Sequence, residues 1–322
     1  MPIKDSILNF PTQFDYTPEI VNGNKLKKAK KFVVVGMGGS HLAADLLKIL
    51  NPSIDLVVHK NYGLPILSDL KDRLIILSSY SGNTEEVIDA FNQARRMKLK
   101  MVVIALGGKL LELAEANNIT YIQLPAMSLQ PRMALGLSLV ALLKAIGDKN
   151  LLAKINTMSK ALNPAVLETR GKNIAERLKG FVPIIYSSEM NLPLAYNWKI
   201  KFNENSKVPA FCNAIPELNH NEMQSFDIQE STKELSKNLY FIILRDNADD
   251  PRILRRMEIL EKLYQSRGLK IETIQIEGHN VFQKVFNTII LGDWTAYHTA
   301  VIYGLDPETV PMVEEFKRLM RP

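Results

Sequence analysis

The sequence has one cysteine, Cys212, among 322 residues, which excludes an internal disulfide and agrees with a reducing cytosol. It also lacks any apolar run near the ~18 residues that a membrane span needs, so no membrane partner is expected. The opening residues, Met1-Pro2-Ile3-Lys4-Asp5, lack the basic-then-apolar layout of a signal peptide, and a cytoplasmic location is expected. The five histidines show no HExxH or comparable ligand spacing, so no metal site is expected. Low-complexity segments are missing. Positive charge is in excess, with a net charge of +6 and a pI near 9.1, but it is scattered. Its densest cluster, Lys25-Leu26-Lys27-Lys28-Ala29-Lys30-Lys31, comes with no helix-turn-helix, zinc-finger or RNA-binding signature. It reads as a solvated face, and nucleic acid is not an expected partner. A mildly positive protein suits an anionic substrate through steering.

What is present is ordinary for a soluble globular enzyme, with 46% hydrophobic and 23% charged residues. The length exceeds what one core usually reaches, so two domains are expected. Strand patterns fall at 31–35, 54–58, 73–77, 101–105 and 120–124. Between and after them lie helical patterns at 40–50, 84–97, 109–117 and 131–146. In the second of these, Val87, Ala90, Phe91 and Ala94 share one face. Such alternation implies βαβ units and a parallel sheet covered by helices on both faces. The alternation restarts after helical stretches near 150–160 and 166–179. Strands then fall at 182–186, 239–244 and 270–274, and helices at 191–204, 250–266, 280–303 and 310–320. The division expected is 1–150 and 151–322. Residues 206–237 read as a long polar loop, of the kind that is often functional. Trp198 and Trp294 read as core.

Two loops carry the first chemical signal. Gly36-Met37-Gly38-Gly39-Ser40 lies between a buried strand and a helix, where backbone N–H groups and a helix N-terminus favour an anion. It is not a dinucleotide fingerprint: the third glycine is replaced by His41, and the next strand ends Val58-His59-Lys60 where an acid would be needed. Alone, the loop would serve equally as a plain strand–helix turn. The second, Ser78-Ser79-Tyr80-Ser81-Gly82-Asn83-Thr84-Glu85-Glu86, also joins a strand end to a helix. Asn83 and Glu86 have capping-box spacing, which accounts for part of the polarity. Three serines and a threonine exceed what one cap requires, and they suit a phosphate dianion.

A strand followed by GMGGS and a helix, then a strand followed by SSYSGNTEE and a helix, resembles the sugar isomerase (SIS) domain. Further segments resemble the bifunctional phosphoglucose/phosphomannose isomerases: Gln130-Pro131-Arg132, Lys201-Phe202-Asn203-Glu204-Asn205, Glu217-Leu218-Asn219-His220-Asn221-Glu222 and Glu315-Phe316-Lys317-Arg318-Leu319. The resemblance covers nearly the whole chain. It implies two SIS-type, flavodoxin-like α/β domains and an aldose–ketose isomerase acting on glucose 6-phosphate, with mannose 6-phosphate as a second substrate.

That reaction moves a proton between C1 and C2 through an enediol. It needs a base, a positive group at the developing oxyanion and groups that open the sugar ring. No redox cofactor is needed, nor a metal if protein side chains supply the positive charge. By resemblance Glu204 is the base, Arg132 stabilises the enediolate, and His220 and Lys317 open the ring. His220 would come from the neighbouring subunit of a homodimer. Gly38, Gly39, Ser40, Ser79, Ser81 and Thr84 would hold the phosphate. Thr309, in Pro307-Glu308-Thr309-Val310-Pro311, falls near the position at which a threonine admits the mannose epimer in this family. His279 could cap, hinge or line a cleft, while His41, His59 and His298 read as structural or surface groups. The competing readings are an isomerase restricted to glucose 6-phosphate and a phosphosugar sensor without catalysis. A sensor of the transcription-factor kind would carry a DNA-binding segment before residue 31, and an amidotransferase half would need a glutaminase cysteine where Pro2 stands.

Overall fold

The computed structural model describes residues 1–26 and 28–320, so Lys27 of the basic cluster lies outside the described residues. Two compact units emerge, Met1–Leu162 and Asn163–Pro322. The division falls at Leu162 and not at 150 because residues 151–162 complete the first core, with Leu151, Ile155, Met158 and Leu162 all buried.

In the first unit the apolar runs become β1 (Lys31–Val35), β2 (Asp55–His59), β3 (Leu74–Ser79), β4 (Met101–Ala105) and β5 (Thr120–Gln123). All pair in parallel in the order β2-β1-β3-β4-β5. Every residue of β3 and β4 is buried, as near-continuous apolar strands covered on both faces should be. The helix Glu85–Arg96 packs its Val87, Ala90, Phe91 and Ala94 face against Ile75, Leu77 and Val103, as its spacing predicts. The N-terminal segment adds a helix, Ile3–Leu8, and a 3₁₀ helix, Phe10–Asp15, that bury Ile3, Ile7, Phe10 and Phe14.

In the second unit β6 (Val182–Ser188), β7 (Phe211–Ile215), β8 (Leu239–Arg245) and β9 (Lys270–Gln275) form a parallel sheet in the order β7-β6-β8-β9. Strand β7 lies inside the stretch expected to be a loop. It is an edge strand with Phe211 59% exposed and prolines on both sides, so it shows no apolar run. Two 3₁₀ helices follow, Glu217–His220 and Glu222–Phe226. Both sheets therefore have the flavodoxin-like arrangement that the resemblance implies, the second one strand shorter. Trp198 and Trp294 are fully buried, as read. Among the described residues no helix is long and apolar enough to cross a membrane.

Candidate active site

Strand order decides where a ligand belongs in the first unit. The first strand, β1, lies between β2 and β3, so successive connections leave it in opposite directions and open a crevice at its carboxyl end. The loops after β1 and β3 are the two glycine- and serine-rich loops, and they border that crevice together. They also hold each other. Ser78 Oγ donates to Ser40 O at 3.0 Å, and Tyr80 N donates to Ser40 Oγ at 2.9 Å. Ser79 Oγ accepts from Gly82 N at 3.1 Å and lies 2.7 Å from Thr84 Oγ1. Ser81 Oγ accepts from Asn83 N at 3.2 Å.

Both loops end at helix N-termini, where the first N–H groups have no intrahelical partner. Neither Gly38, before the helix Gly39–Leu50, nor Thr84, before Glu85–Arg96, caps its helix with a side chain. The capping-box reading of Asn83 and Glu86 is not realised: Asn83 Oδ1 accepts instead from Lys109 N at 3.0 Å. Two uncapped helix starts bordered by hydroxyls are an arrangement whose chemistry suits an anion with several oxygens.

Arg132 joins this edge through a close backbone approach. A Cβ on Gly39 would stand 2.9 Å from Pro131 O and 3.2 Å from Arg132 N, so only glycine lets the Pro131–Met133 turn pack there. Arg132 lies on this 3₁₀ turn, the helix proper starting at Leu135, and at 2% exposure it is no surface arginine. Gln13 holds the turn in place, which sequence reasoning missed. Its Nε2 donates to Met133 O at 2.7 Å, and its Oε1 accepts from Gly136 N at 2.9 Å and Leu137 N at 3.2 Å. The apolar spacing of Ile3, Ile7, Phe10 and Phe14 was the available sign that this segment packs on the unit.

The second unit has the equivalent strand order at the carboxyl end of β6, and there its polar groups bond within the chain. Ser188 Oγ donates to Asp249 Oδ1 at 2.7 Å, and Asn191 Nδ2 donates to the same oxygen at 3.3 Å. Burial pushes the Asp249 carboxyl up, with the Ser188 hydroxyl acting against it. A carboxylate already occupies the polar groups that could have met a phosphate.

The remaining candidates belong to this second unit. Glu204 is half-buried within a π turn, Phe202–Ser206, that continues the helix Leu192–Lys201. Isolated π turns recur at functional positions. His220 is exposed at the end of the 3₁₀ helix Glu217–His220. Its segment is anchored by Glu222, which accepts from Tyr186 Oη at 2.5 Å and from Asn213 Nδ2. Sequence reasoning did not single out Glu222 as that anchor. Lys317 is exposed on the terminal helix Pro311–Leu319 and pairs with Glu314 at 2.8 Å. Thr309 Oγ1 donates to Asp306 Oδ2 at 2.9 Å, just before that helix.

The other histidines are accounted for locally. His41 is buried with Nδ1 2.6 Å from Asp45, His59 Nε2 meets Tyr62 O, and His298 stacks on Trp294. His279 is exposed, and the cap of the following helix is Asn280. No group of three or more His, Cys, Asp or Glu side chains that could hold a metal occurs among the described residues.

Comparison with known proteins bears on the whole chain. A family model described as the bacterial phospho-glucose isomerase C-terminal SIS domain matches residues 167–320. The bifunctional phosphoglucose/phosphomannose isomerase of Caldicellulosiruptor bescii is 33% identical over 336 residues, covering 97% of each chain. The D-glucosamine-6-phosphate 4-epimerase of Sulfolobus acidocaldarius is 32% identical over 65% of this chain and 68% of its own. Among solved structures, the tagatose-6-phosphate ketose/aldose isomerase of Escherichia coli superposes with a TM-score of 0.69 at 13% identity, over 95% of this chain and 94% of that one. At that identity the likeness speaks for the fold alone.

Proposed function

This chain belongs to the bifunctional phosphoglucose/phosphomannose isomerase family, and we propose that it interconverts glucose 6-phosphate and mannose 6-phosphate with fructose 6-phosphate by enediol proton transfer. The observation that carries the proposal is the end-to-end match to a relative of that name, 33% identical over 97% of both chains. The strand-end loops of the first unit support it, because a phosphate there would meet two helix N-termini and the hydroxyls of Ser40, Ser79, Ser81 and Thr84. Gly38 and Gly39 would let the first loop follow that phosphate closely. Arg132, a buried cation at the same edge, would stabilise the enediolate oxygen.

Glu204 would carry the proton between C1 and C2, its half-buried position limiting hydration of the carboxylate. His220 and Lys317 would open the sugar ring. Both are exposed in the single chain, as groups completing a site on a second copy would be, and a homodimer with His220 crossing the interface is our reading. The terminal helix agrees with it, leaving Met312, Phe316 and Leu319 at 82, 63 and 74% exposure for a second copy to cover. Positive charge from Arg132 and Lys317 makes a metal unnecessary, and the enzyme would work in the cytoplasm.

A second reading rests on the 4-epimerase relative, which makes glucosamine 6-phosphate an alternative substrate. The test is a coupled assay on glucose 6-phosphate, mannose 6-phosphate and glucosamine 6-phosphate, each with and without a chelator. The proposal expects turnover of the first two, unchanged by the chelator. Turnover of glucosamine 6-phosphate alone would favour epimerisation, no turnover at all a sensor, and loss of activity with the chelator would overturn the metal-free route.

A further inference from the structure

The turn that carries Glu204 is tied to its neighbour by a buried charge pair that the proposed chemistry does not use. Lys201, the last residue of the helix Leu192–Lys201, is 1% exposed, and its Nζ lies 2.6 Å from Oδ1 of Asp293, also 1% exposed. Asp293 sits within the long helix Val281–Ile302. Two hydrogen bonds flank the pair along the same two elements. Trp198 Nε1 donates to Thr288 O at 2.8 Å, and Ser206 Oγ donates to Ala296 O at 2.7 Å. Gly292 permits this approach, since a Cβ there would fall 2.5 Å from Trp198 Nε1. Residues 198, 201 and 206 are thus pinned in order to 288, 293 and 296. Glu204 lies between the last two pins.

A fully buried ion pair contributes little net stability, because taking both charges out of water offsets most of their attraction. An apolar pair of similar volume would often hold such helices together as well. The best-attested reason to keep a buried polar pair is that it fixes a register. Register matters here because a π turn contains one residue more than the α-helical path. Losing it would shift the residues beyond the turn by about 100° around the helix axis, and Glu204 at its centre by part of that, away from its present face. We propose that the Lys201–Asp293 pair is a positioning device that holds the Phe202–Ser206 π turn in register and so aims the Glu204 carboxylate. The inference rests on the reading of Glu204 as the base.

The test compares the Lys201→Met/Asp293→Leu double variant, the single Asp293→Asn variant and Glu204→Gln with the parent. The double variant should keep its Tm within about 4 °C of the parent or exceed it. Its kcat should fall on the order of 10²-fold, as misplacement of a catalytic group does. Its KM should stay within about threefold, because Lys201 and Asp293 lie outside the loops proposed to hold the phosphate. Should the double variant not fold, Asp293→Asn is read by the same criteria, scaled to its folded fraction. Parental kcat in a folded variant, or a loss no larger than the unfolded fraction, overturns the positioning role. An active Glu204→Gln enzyme removes the base reading instead, and the positioning role falls with it.

Discussion

Gly39 and Gly82 show at the scale of single residues what the sequence could and could not tell. Both are legible as members of strand-to-helix loops, where glycine is expected. What each accommodates is not legible, because the neighbour comes from a distant part of the chain: the Pro131–Arg132 backbone for Gly39 and the Gly107 carbonyl for Gly82. Gly82 is also held at φ +71°, and a Cβ there would stand 1.7 Å from that carbonyl oxygen. Gly82→Ala should therefore cost about 2 kcal/mol or more in strain alone. It should raise KM for the sugar phosphate at least ~10-fold, since the loop supplies part of the anion site. Urea unfolding and steady-state kinetics check this, and a variant neutral in both would contradict the account of the loop. Arg132 teaches the complementary lesson. Its residue type was legible as a candidate, but its burial depends on Gln13 and Gly39, which no local pattern connects to it.

Among elements, the buried strands were the most legible, because a parallel sheet covered on both faces needs continuous apolar runs. Edge strand β7 was missed for the same reason in reverse: with one side open, Phe211-Cys212-Asn213 need not be uniformly apolar. The π turn was hidden too, since the helical pattern over 191–204 carries no sign of an extra residue, and the turn's bond from Ser206 to Ala296 O is made to a distant part of the chain. Element ends also carry charge networks that spacing does not reveal. At the amino edge of the first sheet, Asp69 bonds Arg73 at 2.9 Å and Lys31 at 2.8 Å, while Asp55 meets Arg73 at 2.6 Å. The Arg73 guanidinium first, then the Lys31 ammonium, hold the Asp69 carboxyl well below the usual carboxylate range. With the folded value well below the unfolded one of ~3.9, this contribution is full above about pH 4 and is lost progressively as pH falls from there through the folded value. Asp69→Asn should thus lower Tm at pH 7, by a difference that stays constant down to about pH 4 and shrinks steadily below it. A Tm difference independent of pH would show that the charge is irrelevant.

For the whole molecule, the two-unit plan was legible from the restart of strand–helix alternation, although the boundary moved to Leu162 because residues 151–162 bury their apolar side chains in the first core. Not legible was the asymmetry between the units: the strand-end loops of the first bond one another, whereas in the second Asp249 takes the hydrogen bonds of Ser188 and Asn191. That asymmetry predicts a single phosphate site per chain. The proposed homodimer makes a separate prediction. If His220 serves the partner's site, mixing inactive Glu204→Gln chains with inactive His220→Gln chains should restore up to about a quarter of parental activity, because mixed dimers keep one intact site. No recovery after verified subunit exchange would place His220 in its own chain's site. The claim on which everything else depends is that Glu204 moves the proton. The most direct measurement is kcat of Glu204→Gln on glucose 6-phosphate, with substrate binding measured in parallel. The account predicts a loss of at least ~10²-fold with binding retained; turnover near that of the parent enzyme would contradict it.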